Sequence, residues 1–176
     1  MREPGTRKRP ERSWSRRKTS FRRKAEEGYL RRSENPPDLS VGSVKVDYHK
    51  LQNAHWYITG KDFFQVHATL EELYDGVLPH IDEVAELILQ EGGRPVASLK
   101  ETLALSKAEE RPSEPLSSEE AFSIVKADFE LLQSEAATVK SLADESGRTV
   151  VSAAMDDILA ELSKNLWMLR QQAQEI

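Results

Sequence analysis

A run of apolar residues between positions 62 and 91 constrains the fold more than any other feature of this chain. Steps of three and four residues separate its members, which are Phe63, Val66, Leu70, Leu73, Val77, Ile81, Val84 and Ile88. That spacing is typical of one face of an α-helix. We predict a helix that opens at Asp62, ends before Gly92–Gly93 and carries Pro79, which costs about 3 kcal/mol in a helix interior unless the helix kinks. A helix of this length has to bury its apolar face against other helices.

The flanking sequence predicts one helix before this one and a short helix after it. The first helix is capped by Asp38 or Ser40 and ends at about Tyr57. Its apolar face consists of Val41, Val44, Tyr48, Leu51 and His55. Residues 97–106 have the pattern of a short helix, and residues 107–117 that of a polar loop.

Two more long helices complete the pattern. The third is capped by Ser117 or Ser118 and runs to about Ala143, and the fourth spans about 149–172. Ser117 with Glu120 three residues later has the form of a capping box. The predicted fold is all-α: a four-helix bundle with a short helix in the connection between its second and third helices.

Composition limits the chemistry. The 176 residues include no cysteine, which excludes disulfides, thiolate metal sites and cysteine nucleophiles. No run of about 18 apolar residues is present, so we expect no transmembrane helix. A metal site has to use carboxylates and the four histidines, His49, His55, His67 and His80.

Charge divides the chain into two parts. Residues 1–33 hold 13 basic and 4 acidic residues, a net charge of +9, and residues 34–176 hold 12 basic and 26 acidic residues, a net charge of −14. We predict a disordered basic arm over residues 1–37 and a helical bundle over residues 38–176, because like charges repel and the arm has too few apolar side chains for a core. The basic clusters expected to bind the phosphate backbone of DNA are Arg7, Lys8, Arg9, Arg16, Arg17, Lys18, Arg22, Arg23 and Lys24.

Other interpretations of the arm stay open. It can be a solubilising tail, or the product of a misassigned gene start. A mitochondrial-type presequence is a weaker alternative, because the glutamates within the arm argue against it.

Two pairs of possible metal ligands lie four residues apart on the long helix. His67 and Glu71 form one pair, Asp82 and Glu86 form the other, and each pair shares a helix face. His67 and Asp82 are 15 residues apart, which is roughly 22 Å of helix axis. One metal centre in one chain therefore cannot use both pairs.

An antiparallel two-fold partner would bring the two pairs together and create two equivalent sites across the interface. His55 would complete the half that holds His67 and Glu71. Two imidazoles and three carboxylates without a thiolate suit iron, manganese or zinc. Spacing alone leaves open the alternative that both pairs are ordinary solvated surface pairs.

Longer motifs resemble the Dps family of mini-ferritins over about residues 39–170. They are NAHWYITG at 53–60, FF at 63–64, His67, EELY at 71–74, IDEVAE at 81–86, GGRP at 92–95 and NLWML at 165–169. The resemblance implies a ferritin-like bundle assembled as a hollow dodecamer. It also implies oxidation of Fe(II), preferably by hydrogen peroxide, storage of the Fe(III) mineral inside the shell and, in many members, DNA binding.

By this resemblance, His55, His67 and Glu71 are the ferroxidase ligands from one subunit, and Asp82 and Glu86 come from its two-fold mate. Iron is the implied metal, with zinc or manganese at the same site as alternatives. Trp56 corresponds to the family's aromatic residue beside the site, and plain core packing is an equal alternative for it.

The implied partners are iron, hydrogen peroxide, further copies of the chain and duplex DNA without sequence preference. The implied location is the bacterial cytoplasm, with nucleoid association and no membrane. The alternative function is a nucleoid-compacting structural protein in which metal chemistry is secondary.

The start of the fourth helix departs from the family pattern. Many members carry aspartates there that line an iron pore on the three-fold axis, whereas this chain has Val151 and Ala153. The nearby carboxylates that can replace them are Asp144, Glu145, Asp156 and Asp157. We therefore expect slower iron uptake than in relatives with an acidic pore.

Overall fold

The computed structural model describes residues 41–172. Five α-helices make up this part of the chain: α1 (Val41–Tyr57), α2 (Phe63–Gln90), α3 (Leu99–Leu105), α4 (Ser118–Glu145) and α5 (Thr149–Gln172). Between residues 41 and 172 there is no β-strand, and the single β-bridge joins Ile58 to Leu116. The prediction of four long helices with a short helix between the second and third is confirmed.

The basic arm, with every cluster assigned to DNA, lies outside the described residues, as do the two proposed caps of α1. None of the helices within residues 41–172 combines the length and the apolar character needed to cross a bilayer.

Local sequence signals explain the ends of the helices. The Ser117 side chain accepts a hydrogen bond from the Glu120 amide, and the Glu120 carboxylate accepts one from the Ser117 amide, so the predicted capping box is present. The hydrogen bonds that the Glu120 carboxylate accepts from the Ser117 amide and from the Ser117 hydroxyl lower the pKa of Glu120. Gly147 has a φ of +70°, a left-handed conformation that reverses the chain between α4 and α5. Pro79 lies inside α2 without ending it.

The core lies between two antiparallel hairpins, α1–α2 and α4–α5, and α1 also packs against α3 and α4. Side chains from all four long helices are fully buried in it, among them Leu51, Leu70, Phe129, Met155 and Leu166. Each such side chain contributes about 1.5–3 kcal/mol through burial. The apolar face predicted for α2 faces this core, with Val66, Leu70, Val77 and Val84 buried.

Three acids are buried among the described residues, Asp47, Asp128 and Glu135, and Asp47 is the most deeply buried of them. Asp47 of α1 is inaccessible to solvent, and among the described residues neither of its carboxylate oxygens has a hydrogen-bond partner. Burial raises the pKa of Asp47 well above its ordinary range, repulsion from Asp128 raises it further, and Lys50 acts in the opposite direction. Lys50 is itself held by Asp128, with Nζ 2.9 Å from Oδ1 and 2.8 Å from Oδ2. Burial therefore favours the protonated form of Asp47, and the residue destabilises the fold, since its lost contacts with water are not replaced.

Replacing Asp47 is expected to stabilise the protein. Asp47→Leu should raise the free energy of unfolding by about 1–3 kcal/mol per chain, the usual cost of a buried polar group without a partner.

The pH dependence of stability is tested by a second variant. Asp47→Asn should remove the carboxyl group that titrates while keeping a side chain of nearly the same shape. The folded-state pKa is raised above the unfolded value of 3.8, so the folded chain holds a proton that the unfolded chain releases. Wild-type stability relative to Asp47→Asn should thus fall as pH rises above the unfolded value, by up to about 1.4 kcal/mol per pH unit, until the folded-state pKa is reached.

Thermal unfolding from acid to neutral pH at fixed protein concentration measures this difference. Asp157→Asn is the matched control, because Asp157 is an exposed carboxylate on α5. The same pH slope in wild type and Asp47→Asn would contradict the assignment.

Candidate metal centre

Two of the predicted ligands meet across the α1–α2 hairpin. The imidazoles of His55 and His67 are stacked, with ring centroids 3.6 Å apart and an interplanar angle of 21°. His55 stands near the end of α1 and is buried, and His67 stands in the second turn of α2 and is partly buried. The short connection at residues 58–62 folds α2 back along α1, and this brings the two rings together.

Reciprocal hydrogen bonds fix both rings. Nδ1 of His55 lies 2.8 Å from the carbonyl oxygen of His67, and Nδ1 of His67 lies 2.8 Å from the carbonyl oxygen of His55. A carbonyl oxygen only accepts, so each Nδ1 carries the proton and donates it. With the proton on Nδ1, the Nε2 atom of each ring offers its lone pair to a metal ion, and the hydrogen bond at Nδ1 fixes the orientation of the ring.

The three predicted carboxylate ligands are all exposed on α2. Glu71 follows His67 by one helical turn, and its carboxylate accepts a hydrogen bond from the Tyr74 hydroxyl over 3.5 Å. Asp82 and Glu86 lie farther along the same helix. Within residues 41–172 of a single chain, no group of three or more histidine and acidic side chains is placed to hold a metal ion. Of the five predicted ligands, the two histidines are the pair that a single chain brings together within residues 41–172.

Trp56 does not pack into the core of this chain. Its side chain is 64% exposed, so the core-packing alternative is wrong for the single subunit. His49, which matched no ligand position, is exposed as well, and its ring meets Tyr48 edge to face.

Comparisons with known proteins identify the family of the chain. A family model described as the ferritin-like domain matches residues 46–176. The antigen TpF1 of Treponema pallidum (strain Nichols) is 42% identical over 129 residues, which is 73% of each chain. A Helicobacter pylori protein named DNA protection during starvation protein is 35% identical over 124 residues, 70% of this chain and 86% of that one.

Solved structures match just as well. The crystal structure of TpF1 superposes with a TM-score of 0.76 at 33% identity, covering 96% of this chain and all of that one. A Dps protein of Vibrio cholerae O1, described as a member of a broad superfamily of ferritin-like diiron-carboxylate proteins, has a TM-score of 0.75 at 28% identity and covers 89% of this chain and 92% of that one. The chain belongs to the Dps family of ferritin-like proteins.

Sequence reasoning missed the aromatic surroundings of the histidine pair in this Dps protein. The Tyr74 ring stands edge to face with His55 at a centroid distance of 5.3 Å, and with Tyr48 at 5.8 Å. Phe63 stacks on His67 at 5.0 Å. Tyr48 precedes His55 by seven residues and Tyr74 follows His67 by seven, so the two-turn helical spacing was a signal that could have found both tyrosines.

His80, which corresponds to none of the predicted ligand positions, has a structural role. Its Nδ1 lies 3.0 Å from a Glu83 carboxylate oxygen and its Nε2 lies 3.0 Å from a Glu161 carboxylate oxygen, so it ties α2 to α5. Gly76 leaves the space that Glu161 occupies, since a Cβ there would lie 2.7 Å from Glu161 Oε1.

The start of α5 differs from the expectation for a pore lining. Val151 is buried in the core, so its apolar character is explained by packing and it does not stand at a surface position in place of a carboxylate. Ala153 is exposed, as expected.

Two of the four nearby carboxylates, Asp144 and Asp156, are paired with a lysine. Lys140 Nζ lies 2.9 Å from Asp156 Oδ2 and 3.5 Å from Asp144 Oδ2, and Asp144 also accepts a hydrogen bond from the Ser152 hydroxyl. The Ser152 hydrogen bond, and then Lys140, lower the pKa of Asp144. Lys140 thus neutralises part of the negative charge at this end of the bundle.

Proposed function

We propose that the chain is the subunit of a hollow homo-oligomeric shell, a dodecamer, that oxidises Fe(II) with hydrogen peroxide, stores the Fe(III) product and thereby protects DNA. Membership of the Dps family supports iron storage and DNA protection in general, because relatives carry the name DNA protection during starvation protein. The observation that carries the metal chemistry is the reciprocal fixing of His55 and His67, which leaves two imidazole Nε2 atoms ready to bind Fe(II).

The remaining ligands are proposed to come from a second copy. Asp82 and Glu86 are exposed on α2, too far along the helix from His67 to serve the same site. Large apolar side chains on α1 and α2 are also exposed in the single chain, namely Trp56, Phe64, Leu78 and Leu89. An exposed apolar surface of this kind is typical of a subunit interface, and an antiparallel two-fold contact would place one copy's carboxylates against its mate's histidines.

This ligand set suits the oxidation of iron by peroxide. Carboxylates stabilise Fe(III) more than Fe(II), because the ion with the higher charge gains more from an anionic oxygen ligand. Neutral imidazoles limit the negative charge of the site. Two Fe(II) ions each give one electron to hydrogen peroxide, the O–O bond breaks, and two protons convert the products to two water molecules. This two-electron reaction releases no hydroxyl radical.

A matched pair of glutamates tests the assignment. Glu71→Gln should lose rapid Fe(II) oxidation because it removes a charged ligand, whereas Glu72→Gln, which changes the exposed neighbouring carboxylate, should keep it. Stopped-flow absorbance of Fe(III) and titration of peroxide consumption measure the rate and the ratio of two Fe(II) per peroxide. Equal rates in the two variants would overturn the assignment of Glu71.

Compaction of DNA is the second proposed function, and the charge division favours it. Residues 1–33 have a net charge of +9 and residues 34–176 a net charge of −14, so electrostatics favours contact between the arm and a polyanion such as DNA. The two functions are compatible, since one shell can oxidise iron and bind DNA through its arms.

We expect Lys140 to limit the rate of iron uptake. Lys140→Gln should free the negative charge of Asp144 and Asp156, and Ala153→Asp should add a further charge. A negative funnel raises the local cation concentration, so both variants should take up Fe(II) faster at low salt and lose this advantage at high salt. Lys164→Gln, an exposed lysine on α5, is the control. Uptake in Lys140→Gln that is no faster than in Lys164→Gln would argue against iron access at this end of the bundle.

A further inference from the structure

A segment of the loop between α3 and α4 holds the chain where it leaves α1. We call this segment, residues 111–116, the strap. Leu116 is buried, its amide donates to the Tyr57 carbonyl over 3.1 Å, and its carbonyl accepts from the Thr59 amide over 3.0 Å. These two hydrogen bonds form the β-bridge between Ile58 and Leu116. The strap therefore fixes the start of the connection that folds α2 back along α1.

Arg111 closes the strap on itself and attaches it to α1. Its Nη1 donates to the Asn53 side-chain oxygen over 2.6 Å and to the Pro112 carbonyl over 3.1 Å. Its Nη2 donates to the carbonyls of Glu114 and Pro115. Several acceptors thus share one planar guanidinium, an arrangement that lysine cannot reproduce because its donors lie on a single atom.

Two donors from outside the helix cap the end of α1. The last carbonyls of an α-helix have no partner within the helix. In α1, the His55 carbonyl accepts from Nδ1 of His67 over 2.8 Å, and the Tyr57 carbonyl accepts from the Leu116 amide. Both carbonyls belong to one helical turn, so release of the strap lets this turn fray and moves the His55 carbonyl away from the His67 ring.

We propose that Arg111 is a positioning residue for the histidine half of the site, and that it acts through Asn53 and the strap on the end of α1. The inference rests on the proposed ferroxidase function. Asn53 and His55 are two residues apart, which is about 200° around the helix. Arg111 therefore holds the side of α1 that is turned away from the paired rings and does not touch the metal ligands.

The consequence concerns the tautomer of His67. While the His55 carbonyl stays in place, Nδ1 of His67 carries the proton and Nε2 offers its lone pair. When the last turn of α1 frays, Nδ1 loses this acceptor, and a ring with its proton on Nε2 cannot bind a metal ion through that atom. Loss of such outer contacts typically lowers metal affinity by about tenfold or more.

The strap contributes little to the core. Apart from Leu116, its residues are exposed or half-buried, whereas the fully buried large side chains come mainly from the four long helices. Removal of the Arg111 contacts should therefore leave the shell assembled, with a thermal midpoint close to that of wild type. A purely structural role predicts the opposite pattern, in which the midpoint falls and the metal affinity of the folded shell is unchanged.

Binding of Co(II) to the full-length assembled shell tests the proposal, with Co(II) as a probe that peroxide-free buffer does not oxidise. Calorimetric titration should give an affinity about tenfold lower in Arg111→Met. The affinity should be unchanged in Arg94→Met, which alters an exposed arginine after α2. Asn53→Leu should also bind more weakly, whereas Asn53→Asp keeps the acceptor and should bind as wild type does. The double variant should bind no more weakly than Arg111→Met, because both changes break one contact.

Two further measurements separate positioning from folding. Nitrogen NMR of labelled histidine in the sedimented, metal-free shell should show the His67 proton on Nδ1 in wild type and a mixture of tautomers in Arg111→Met. In oxidation by peroxide, Arg111→Met should need about tenfold more Fe(II) for half of its maximal rate, with a maximal rate close to that of wild type.

The outcomes distinguish this inference from the proposed function. Equal Co(II) affinity in Arg111→Met and Arg94→Met, or in Asn53→Leu and wild type, would overturn the role of Arg111 even if wild type oxidises Fe(II) normally. The same His67 tautomer in every variant would overturn it as well. A wild-type shell that binds Co(II) but forms no Fe(III) with peroxide would overturn the ferroxidase function, and the Co(II) affinities and the tautomer would still decide the role of Arg111.

Discussion

Rapid oxidation of Fe(II) by peroxide is expected to fall to background in His67→Ala and in Asp82→Ala, and to return at about a quarter of the sites when the two variants exchange subunits. Each variant alone damages every site, because each shared site needs one histidine half and one acidic half. His67 lies in the pair of rings fixed across the hairpin, and Asp82 is exposed on the same helix. The loss in each single variant should be large, since the site loses a direct ligand of the iron.

The recovered fraction follows from counting two-fold pairs. Random 1:1 mixing makes about half of the pairs mixed. In a mixed pair, one site combines the intact His67 of one chain with the intact Asp82 of the other, and the second site carries both lesions. Each mixed pair therefore has one intact site out of two. Because half of the pairs are mixed, a quarter of all sites are intact.

A second mixture serves as the matched control. His67→Ala and Glu71→Gln both damage the histidine half, so a mixed pair of these variants has one lesion in each of its two sites and should recover nothing. Mass-tagged subunits establish that exchange has occurred in both mixtures. No recovery between His67→Ala and Asp82→Ala after exchange, or equal recovery in the control mixture, would rule out the shared site.

Apolar periodicity was sufficient to predict the helices, and the reason lies in their length. A helix of 28 residues such as α2 repeats its apolar face many times, so Pro79 in its interior did not obscure the pattern. The capping box at Ser117 was predictable because its partners are three residues apart, and short-range hydrogen bonds are encoded locally.

Burial of individual side chains was harder to predict, because it depends on which helix lies opposite. Asp47 has the sequence context of a surface acid, but it is buried where α1 packs against the other helices, and Asp128 of α4, about eighty residues later in the chain, raises its pKa further. Val151 was assigned to a pore lining, yet it fills the core between α4 and α5. In both cases the deciding contact is a long-range one that spacing along the chain does not contain.

The histidine pair illustrates the same limit within the site. Spacing predicted that His55 and His67 belong to one half-site, but the reciprocal Nδ1 hydrogen bonds depend on the geometry of the turn at residues 58–62. Tyr48 was part of the apolar face predicted for α1, and Tyr74 was noted as part of the EELY motif at 71–74. The contact of Tyr74 with His55, and that of Tyr48 with Tyr74, become visible once α1 and α2 lie side by side.

Deletion of residues 1–37 is expected to abolish binding to duplex DNA while leaving the shell and its oxidation of Fe(II) intact. The arm carries 13 of the 25 basic residues of the chain, and residues 34–176 have a net charge of −14, so a shell without arms should repel the phosphate backbone. Several arms on one shell would combine weak contacts into avid binding, provided that the arms can reach the same duplex.

The salt dependence of binding distinguishes this mechanism from others. Neutralising about six phosphates predicts a slope of log K against log salt of roughly −5, so the full-length protein should bind at low salt and release DNA as salt rises towards the physiological range. Gel retardation of duplex DNA at a series of salt concentrations measures the slope. Replacing Arg16, Arg17 and Lys18 with glutamine should make the slope shallower, because fewer cations remain to displace counterions.

Retained oxidation of Fe(II) by the truncated shell shows that assembly has survived, and this makes a loss of DNA binding interpretable. Binding by the truncated shell with the full-length slope would assign DNA contact to the acidic body, which electrostatics disfavours at low salt. In that case the clusters from Arg7 to Lys24 would need a different explanation, such as a solubilising tail or a misassigned start. If the truncated shell neither binds DNA nor shows the salt dependence of the full-length protein, the arm is the DNA-binding element. Nothing else in the sequence has the net positive charge that non-specific contact with phosphate requires.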